Sequence, residues 1–339
     1  MRNNLVKKMG KALKHLLHPI MRRLPARRTY PFSEPPCPNR STQSFPSTKP
    51  KRSVLESKEI ASLNEPALEY LSSLSEDEIS RRIDAVSVGE INSARGLEKA
   101  RNLLREEGIV IVPDYLDNAE QNIANDAMST VLHALNLTSE ERNYEDDDIL
   151  VQGGKRIATS YTEMATYSKT VVNVRRGNDF GMVDVFNVDR LVGSRKSAFR
   201  APFITSGLLD LIGGSSNALE ARNLNLYINR SVMQTRGFHV DSFKKNIKGF
   251  VYLTDVSSLD DGPYCYVRGS HLDGAWRKAN QKLSEIAPAK TDSPFIDTRL
   301  AVPVLAPRGS LILSDQAGVH RGMPQGRGSE RLVLVMRYS

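Results

Sequence analysis

Cysteine is almost missing from this 339-residue chain, where Cys37 and Cys265 are the only two. A single pair of thiols supplies neither a disulfide framework nor a cysteine-ligated zinc site, so the composition fits a reducing compartment. No stretch approaches eighteen consecutive apolar residues, which leaves no pattern for a membrane-spanning helix. No strand runs through a glycine-rich turn into a helix in the manner of a dinucleotide or P-loop site, and no repeat recurs at a fixed period. Acidic side chains are scarce in one region only. Residues 1–52 hold thirteen Lys and Arg against the single acid Glu34, so residues 53–339 carry a net −4 although the whole chain carries +8. A body of that sign offers no face for neutralising several phosphates, and nucleic acid drops out as a partner.

With 40% hydrophobic and 25% charged residues, the chain can bury a sizeable core, and its length suits one main domain with appendages. In residues 5–20, Leu5, Val6, Met9, Leu13, Leu16, Leu17 and Ile20 recur at helical spacing, with Lys7, Lys8, Lys11 and Lys14 mostly opposite them. Such a basic amphipathic helix serves peripheral contact with an anionic membrane surface, organelle targeting, or docking on an acidic partner; a plain basic arm is the bland alternative. The expected location is therefore cytoplasmic or organellar. Residues 19–52 are rich in Pro, Ser and Thr and read as a linker. The organisation expected is a tail over 1–52, a helical lead-in over 53–107 and a main domain over 108–339.

Helical periodicity runs through Leu63, Leu68, Tyr70, Leu71 and Leu74, and again over 92–107, where Gly108 supplies a stop. Residues 108–113 read as a buried strand, and 117–136 as a helix capped by Asp117 or Asn118, with His133 as packing. The acidic run 140–148 reads as a solvated loop. Beyond Leu150 short β-type runs follow at 171–174, 223–228, 247–255, 263–267, 301–305, 310–314 and 332–337, separated by Gly, Pro, Asn and Asp. This gives a mainly β fold with flanking helices, of the α+β class.

Between two of these runs stands Phe238-His239-Val240-Asp241. In extended chain, side chains at i and i+2 point the same way, so His239 and Asp241 reach one ion together. His320 follows the run 310–314, and Arg331 opens the last one. Two histidines and one carboxylate on one face of an iron leave three positions for exchangeable ligands, which is what O₂ activation requires. A chelating oxo-acid also needs a cation for its far carboxylate, and the guanidinium fork of Arg331 matches that geometry. Tyr227, Asn229 and Gln234 lie just before the ligand motif, where donors to such a cosubstrate are useful. Arg236 and Arg268 either meet an anionic substrate or pair with surface acids.

These residues resemble the phytanoyl-CoA dioxygenase family of Fe(II)/2-oxoglutarate oxygenases over roughly residues 100–339. Three motifs carry the resemblance: Phe238-His239-Val240-Asp241; Asp261-Gly262-Pro263 running on to Gly269-Ser270-His271; and His320 with Arg331 at the family's separation. The resemblance implies a double-stranded β-helix core of the jelly-roll, cupin-like type. It implies iron ligands His239, Asp241 and His320, with Arg331 anchoring 2-oxoglutarate; Gln234 and Tyr227 are expected near it from their place before the ligand motif alone. Fe(II), 2-oxoglutarate and O₂ are the implied cofactors, with ascorbate in support, and the implied reaction hydroxylates a small organic or acyl substrate. His271 is implied to be a loop residue without a metal role. Arg321 stands where the family often has a small residue. Asp241 is retained where related halogenases lose the carboxylate, which favours hydroxylation. Two rivals stand beside this reading: a non-catalytic β-domain tethered by the basic helix, and an iron enzyme that epimerises, cyclises or desaturates. The substrate itself is not legible.

Overall fold

Alternation of side chains decides which layer each strand joins. The computed structural model describes residues 56–134, 149–151, 155–156, 170–175, 179–191, 196–213 and 219–338, so the basic tail, the His133 side chain and the acidic run 140–148 lie outside the described features. Three helices lead: α1 (Ser57–Ser72), α2 (Glu76–Asp84) and α3 (Ala94–Glu106). Ser75 and Ser93 cap α2 and α3 by accepting from the Glu78 and Gly96 amides. Then come β1 (Ile109–Val112) and α4 (Asn118–Ala134), the latter opened by a reciprocal box between Asp117 and Glu120. Next in order are β2 (Ile149–Val151), β3 (Lys155–Arg156), β4 (Val171–Val174), β5 (Val183–Phe186), α5 (Lys196–Arg200) and α6 (Ser206–Gly213). The remainder is β6 (Ala221–Arg230), β7 (Ile247–Tyr252), β8 (Tyr264–Val267), α7 (Ala275–Ser284), β9 (Ala301–Pro303), β10 (Leu311–Asp315), β11 (His320–Gly322) and β12 (Glu330–Tyr338).

The strands form two antiparallel sheets, one ordered β1-β10-β7-β12-β6-β5-β4-β2-β3 and one ordered β11-β8-β9. On the inner face of the large sheet, Ile109, Ile111, Phe250, Tyr252, Ile312, Val333 and Val335 pack against Tyr264, Tyr266, Val302 and Val304 of the small sheet. The intervening residues Val110, Val112, Leu226, Ile228, Val251, Leu311, Leu313 and Leu334 face the other way, onto Leu104 of α3, Val131 of α4 and Leu208 of α6. This period-2 division buries both faces of the sheet's centre. The outer face of the small sheet, with Cys265, Val267 and Ala301, is covered by Ala67 and Leu71 of α1.

The two sheets face each other across a shared core, but no closed barrel forms among the described residues. Across the seam, pairing shrinks to single bridges such as Val256 with Ala306 and His239 with His320. Strands β2, β3, β5 and β11 and helices α5 to α7 had no counterpart in the sequence pattern, since each is short and bounded without strong caps.

Gly318 illustrates how tightly the seam is built. A Cβ there would overlap the Tyr266 hydroxyl, which donates to the Asp315 carbonyl at 3.0 Å inside the core. Gly318→Ala should therefore cost roughly 1–3 kcal/mol, as overpacked interiors do. A urea midpoint lowered at unchanged m-value is the expected result, and a midpoint equal to the parent's would mean that Tyr266 has room to yield.

Candidate metal centre

The backbone brings the ligands together before any ion is considered. The His239 amide donates to the His320 carbonyl at 3.0 Å, and the His320 amide returns the bond at 2.8 Å. The Asp241 amide donates to the Gln316 carbonyl at 3.0 Å. From the helical side, the buried Asn64 of α1 accepts the Phe238 amide at 2.8 Å, and a Cβ on Gly237 would strike that same side chain. The motif is thus extended, as the i, i+2 argument needs, and clamped from two directions.

The side chains then converge. One ligand atom from each of His239, Asp241 and His320 lies within 4.8 Å of the others, the one such His/Cys/Asp/Glu group among the described residues. Both imidazoles are set in the same tautomer: Nδ1–H of His239 donates to the Gly237 carbonyl at 2.9 Å, and Nδ1–H of His320 to the Gly318 carbonyl at 3.0 Å. A carbonyl can only accept, so each Nε2 keeps its lone pair for a metal. Nε2 of His320 stands 3.6 Å from Oδ1 of Asp241. This two-histidine, one-carboxylate set with open neighbouring space is the donor arrangement of non-haem iron oxygenases.

Lys248 of β7 completes the set in a way the sequence did not signal. Its ammonium lies 2.6 Å from Oδ2 of Asp241, on the oxygen turned away from His320. Burial alone would raise the Asp241 carboxyl, but the Lys248 ammonium and His320 hold it well below the usual 3.8. The imidazole of His239 is pushed well below 6.5, by burial first and then by its neighbours His320 and Arg236. Beneath the triad Gln316 donates to Ser314 Oγ at 2.7 Å and to Tyr264 Oη at 3.2 Å, and the Tyr264 ring lies 5.6 Å from that of His320. Burial pushes the Tyr264 phenol up, so it stays protonated as a neutral support.

The triad opens onto a cavity of about 640 Å³ between the sheets. Its floor is the polar register of the central strands: Asn223, Asn225, Tyr227 and Asn229 on β6, Arg331 and Arg337 on β12, with Phe250 and Val335 between. Arg331 and Asn229 are cross-strand partners. Nη1 of Arg331 donates to the Gly262 carbonyl, which is aimed by the left-handed glycine of the Asp-Gly-Pro segment at φ +66°. Nε of Arg331 and Nδ2 of Asn229 are buried without a hydrogen-bond partner. Among the described residues no carboxylate pairs with Arg331. Two orphaned donors and an unpaired guanidinium side by side are the features a bound carboxylate would satisfy.

Of the other residues singled out in the sequence, Tyr227 lines the cavity, whereas Gln234 is exposed and does not. Arg236 lines the cavity and pairs with Asp292 at 2.8 Å; Arg268 pairs with Glu107 at 2.7 Å away from it. His271 is outside the cavity, with Nε2 3.0 Å from the Arg105 carbonyl. Arg321 is buried, donating to Thr235 at 2.9 Å and lying over the Phe238 ring.

No family model matches the sequence, and no curated protein matches it. Solved structures do resemble it. The non-heme alpha ketoglutarate dependent carbocyclase SnoK from nogalamycin biosynthesis aligns over 71% of this chain and 83% of its own at 19% identity, with a TM-score of 0.48. The epimerase SnoN from the same biosynthesis aligns over 73% and 83% at 18% identity and a TM-score of 0.46. HygX from Streptomyces hygroscopicus, solved with nickel and 2-oxoglutarate bound, aligns over 70% and 85% at 13% identity and a TM-score of 0.41. At these scores no residue's role transfers, so the chemistry of the centre rests on its own atoms. Among the described residues no helix is long and apolar enough to cross a membrane.

Two outcomes follow from this geometry. Lys248→Met frees the outer oxygen of Asp241 and should weaken divalent metal binding about 10–100-fold, as loss of an outer-shell partner does; chelator competition measures it, and parental affinity would remove Lys248 from the centre. The depressed His239 sets the second. The unfolded chain takes up that proton near pH 6.5, the folded chain only well below it, so stability is full above pH 6.5 and drains as pH falls. Asp241 adds the same sign below about 3.8. The melting temperature of the metal-free protein should fall between about pH 7 and 5.5, and His239→Gln should flatten that limb; parallel slopes would place the proton uptake elsewhere.

Proposed function

We propose that the chain is a non-haem Fe(II)- and 2-oxoglutarate-dependent dioxygenase that hydroxylates a small organic or acyl substrate. The observation that carries this reading is the pairing of features in one cavity: three ligand atoms within 4.8 Å of one another, and Arg331 and Asn229 presenting orphaned donors to the same space. His239, Asp241 and His320 would hold the iron, and Arg331 would hold the far carboxylate of the oxo-acid. The finer assignment to the phytanoyl-CoA dioxygenase family rests on the three sequence motifs and is part of this proposal.

When bound, iron and 2-oxoglutarate would supply O₂ activation, with the oxo-acid leaving as succinate and CO₂ and one oxygen atom entering a substrate C–H bond. The protein's own part is positional. Neutral Nε2 atoms and an ionised Asp241 are ready to bind a divalent ion without first losing protons from His239 or Asp241. Lys248 restricts Asp241 to one free oxygen, which favours monodentate binding and keeps neighbouring positions open. Gly262 holds the Arg331 fork in place, so an oxo-acid tail meets a cation already oriented. Tyr264, Phe250 and Val335 wall the reacting space with apolar surface.

Anaerobic addition of Fe(II) and 2-oxoglutarate should produce the visible charge-transfer band of the chelate, and His239→Ala should abolish it. A parent protein that binds Fe(II) without developing the band would overturn the reading and favour a non-catalytic module. Arg331→Ala should weaken 2-oxoglutarate about tenfold or more, the scale of a charged hydrogen-bonded pair, while leaving Fe(II) affinity within twofold. Equal loss of both would remove Arg331 from its assigned part.

A further inference from the structure

Two arginines of β12, Arg331 and Arg337, line the cavity, and the proposed function uses only the first. Arg331 stands at the start of β12 and Arg337 near its end, six residues or roughly 20 Å of strand away. Lys248 is the direct cross-strand partner of Arg337, and both side chains line the cavity. Like charges facing each other on adjacent strands repel unless something negative lies between them. Today Asp241 serves Lys248, at 2.6 Å. No carboxylate pairs with Arg337 among the described residues. The loop that leads into β7 adds exposed Lys244 and Lys245 and no acid beyond Asp241.

Charge balance sharpens the point. With a divalent ion, the Asp241 carboxylate, a dianionic oxo-acid and Arg331, the charges at the centre sum to zero, so Lys248 shares Asp241 with the ion and Arg337 has no carboxylate of its own among the described residues. Beside them the floor offers the side chains of Phe250 and Val335. The amide of Asn225 accepts from the Asn187 backbone at 3.3 Å through its oxygen, which turns its NH₂ group the other way.

We infer that the Arg337 end of the cavity is a subsite for the acidic group of the substrate, so that the enzyme acts on a small molecule with an apolar or aromatic body and an oxyanion head. The inference rests on the oxygenase reading for its charge balance and on the cross-strand pair for its place. The head, a phosphate, sulfate or carboxylate, lies against Arg337 and Lys248, and the body extends over Val335 and Phe250 toward the triad. The opposite end stays with the cosubstrate.

The test uses the full chain loaded with Zn(II), which has no redox chemistry, and saturating 2-oxoglutarate, with phenyl phosphate as the probe and phenol as its neutral twin. Calorimetric titration should show saturable one-to-one binding of phenyl phosphate, and phenol at least about tenfold weaker. Arg337→Gln, a change at an exposed position, should weaken phenyl phosphate about tenfold while 2-oxoglutarate affinity moves less than twofold. Equal binding of phenol, or phenyl phosphate affinity unchanged in Arg337→Gln, would overturn the subsite. Equal loss of both anions in Arg337→Gln would overturn it too, by giving that end to the cosubstrate. If 2-oxoglutarate fails to load on the parent, the oxygenase reading fails, and the same titration on the metal-free chain decides the subsite by itself.

Discussion

The reciprocal backbone pair between His239 and His320 is the constraint on which the centre depends. These residues are eighty-one positions apart in the chain, yet each amide donates to the other's carbonyl, at 3.0 and 2.8 Å. Facing residues in such a pair have side chains on the same side of the ladder, so one bridge both ties the ligand run to β11 and aims both imidazoles at one point. Asp241 inherits its direction from the same extended run, two residues on. Nothing else at the seam pairs continuously, so the ligands occupy the place where the sheets part and the cavity begins.

That arrangement explains which parts of the molecule were legible. The ligand motif, the distal histidine and Arg331 stand out by their residue types and by their order relative to the β-type runs, and the structure brings all four to one cavity. The central strands were legible as short β-type runs between Gly, Pro, Asn and Asp, with limits off by a few residues, as at Ala221–Arg230 and Glu330–Tyr338. Lys248 was not, because a lysine alternating with Ile247 and Gly249 looks like any solvent-facing strand position. The same holds for Asn223, Asn225 and Asn229: alternation tells that they share a face, not that the face looks into a cavity. Gln234 failed for the opposite reason. It sits close to the motif in sequence, but its side chain is exposed and lies outside the cavity that its neighbours Val232, Thr235 and Arg236 line.

Electrostatics ties the motifs together. The Asp-Gly-Pro segment reads in sequence as a turn. In the fold its Gly262 carbonyl receives Nη1 of Arg331, while Asp261 gathers the Ser257 and Ser258 amides at 2.9 Å each. A turn thereby fixes the orientation of a buried cation, and the second and third motifs become one device. Lys248 does the corresponding work for Asp241. Each charged group that the centre would use is thus oriented by a neighbour before any ligand arrives, which removes most of the ordering entropy from the binding step.

The contact between Asn64 and the Phe238 amide has a practical consequence for how this protein can be divided. Helix α1 precedes the β-rich part and looks dispensable, yet its buried asparagine reaches under the ligand-bearing run and fills the space that Gly237 leaves. A version trimmed to begin at the first strand would keep every coordinating atom and still strip the support from below two of them. A version that keeps this support therefore has to include Asn64, and helix α1 belongs with the sheets that it underpins.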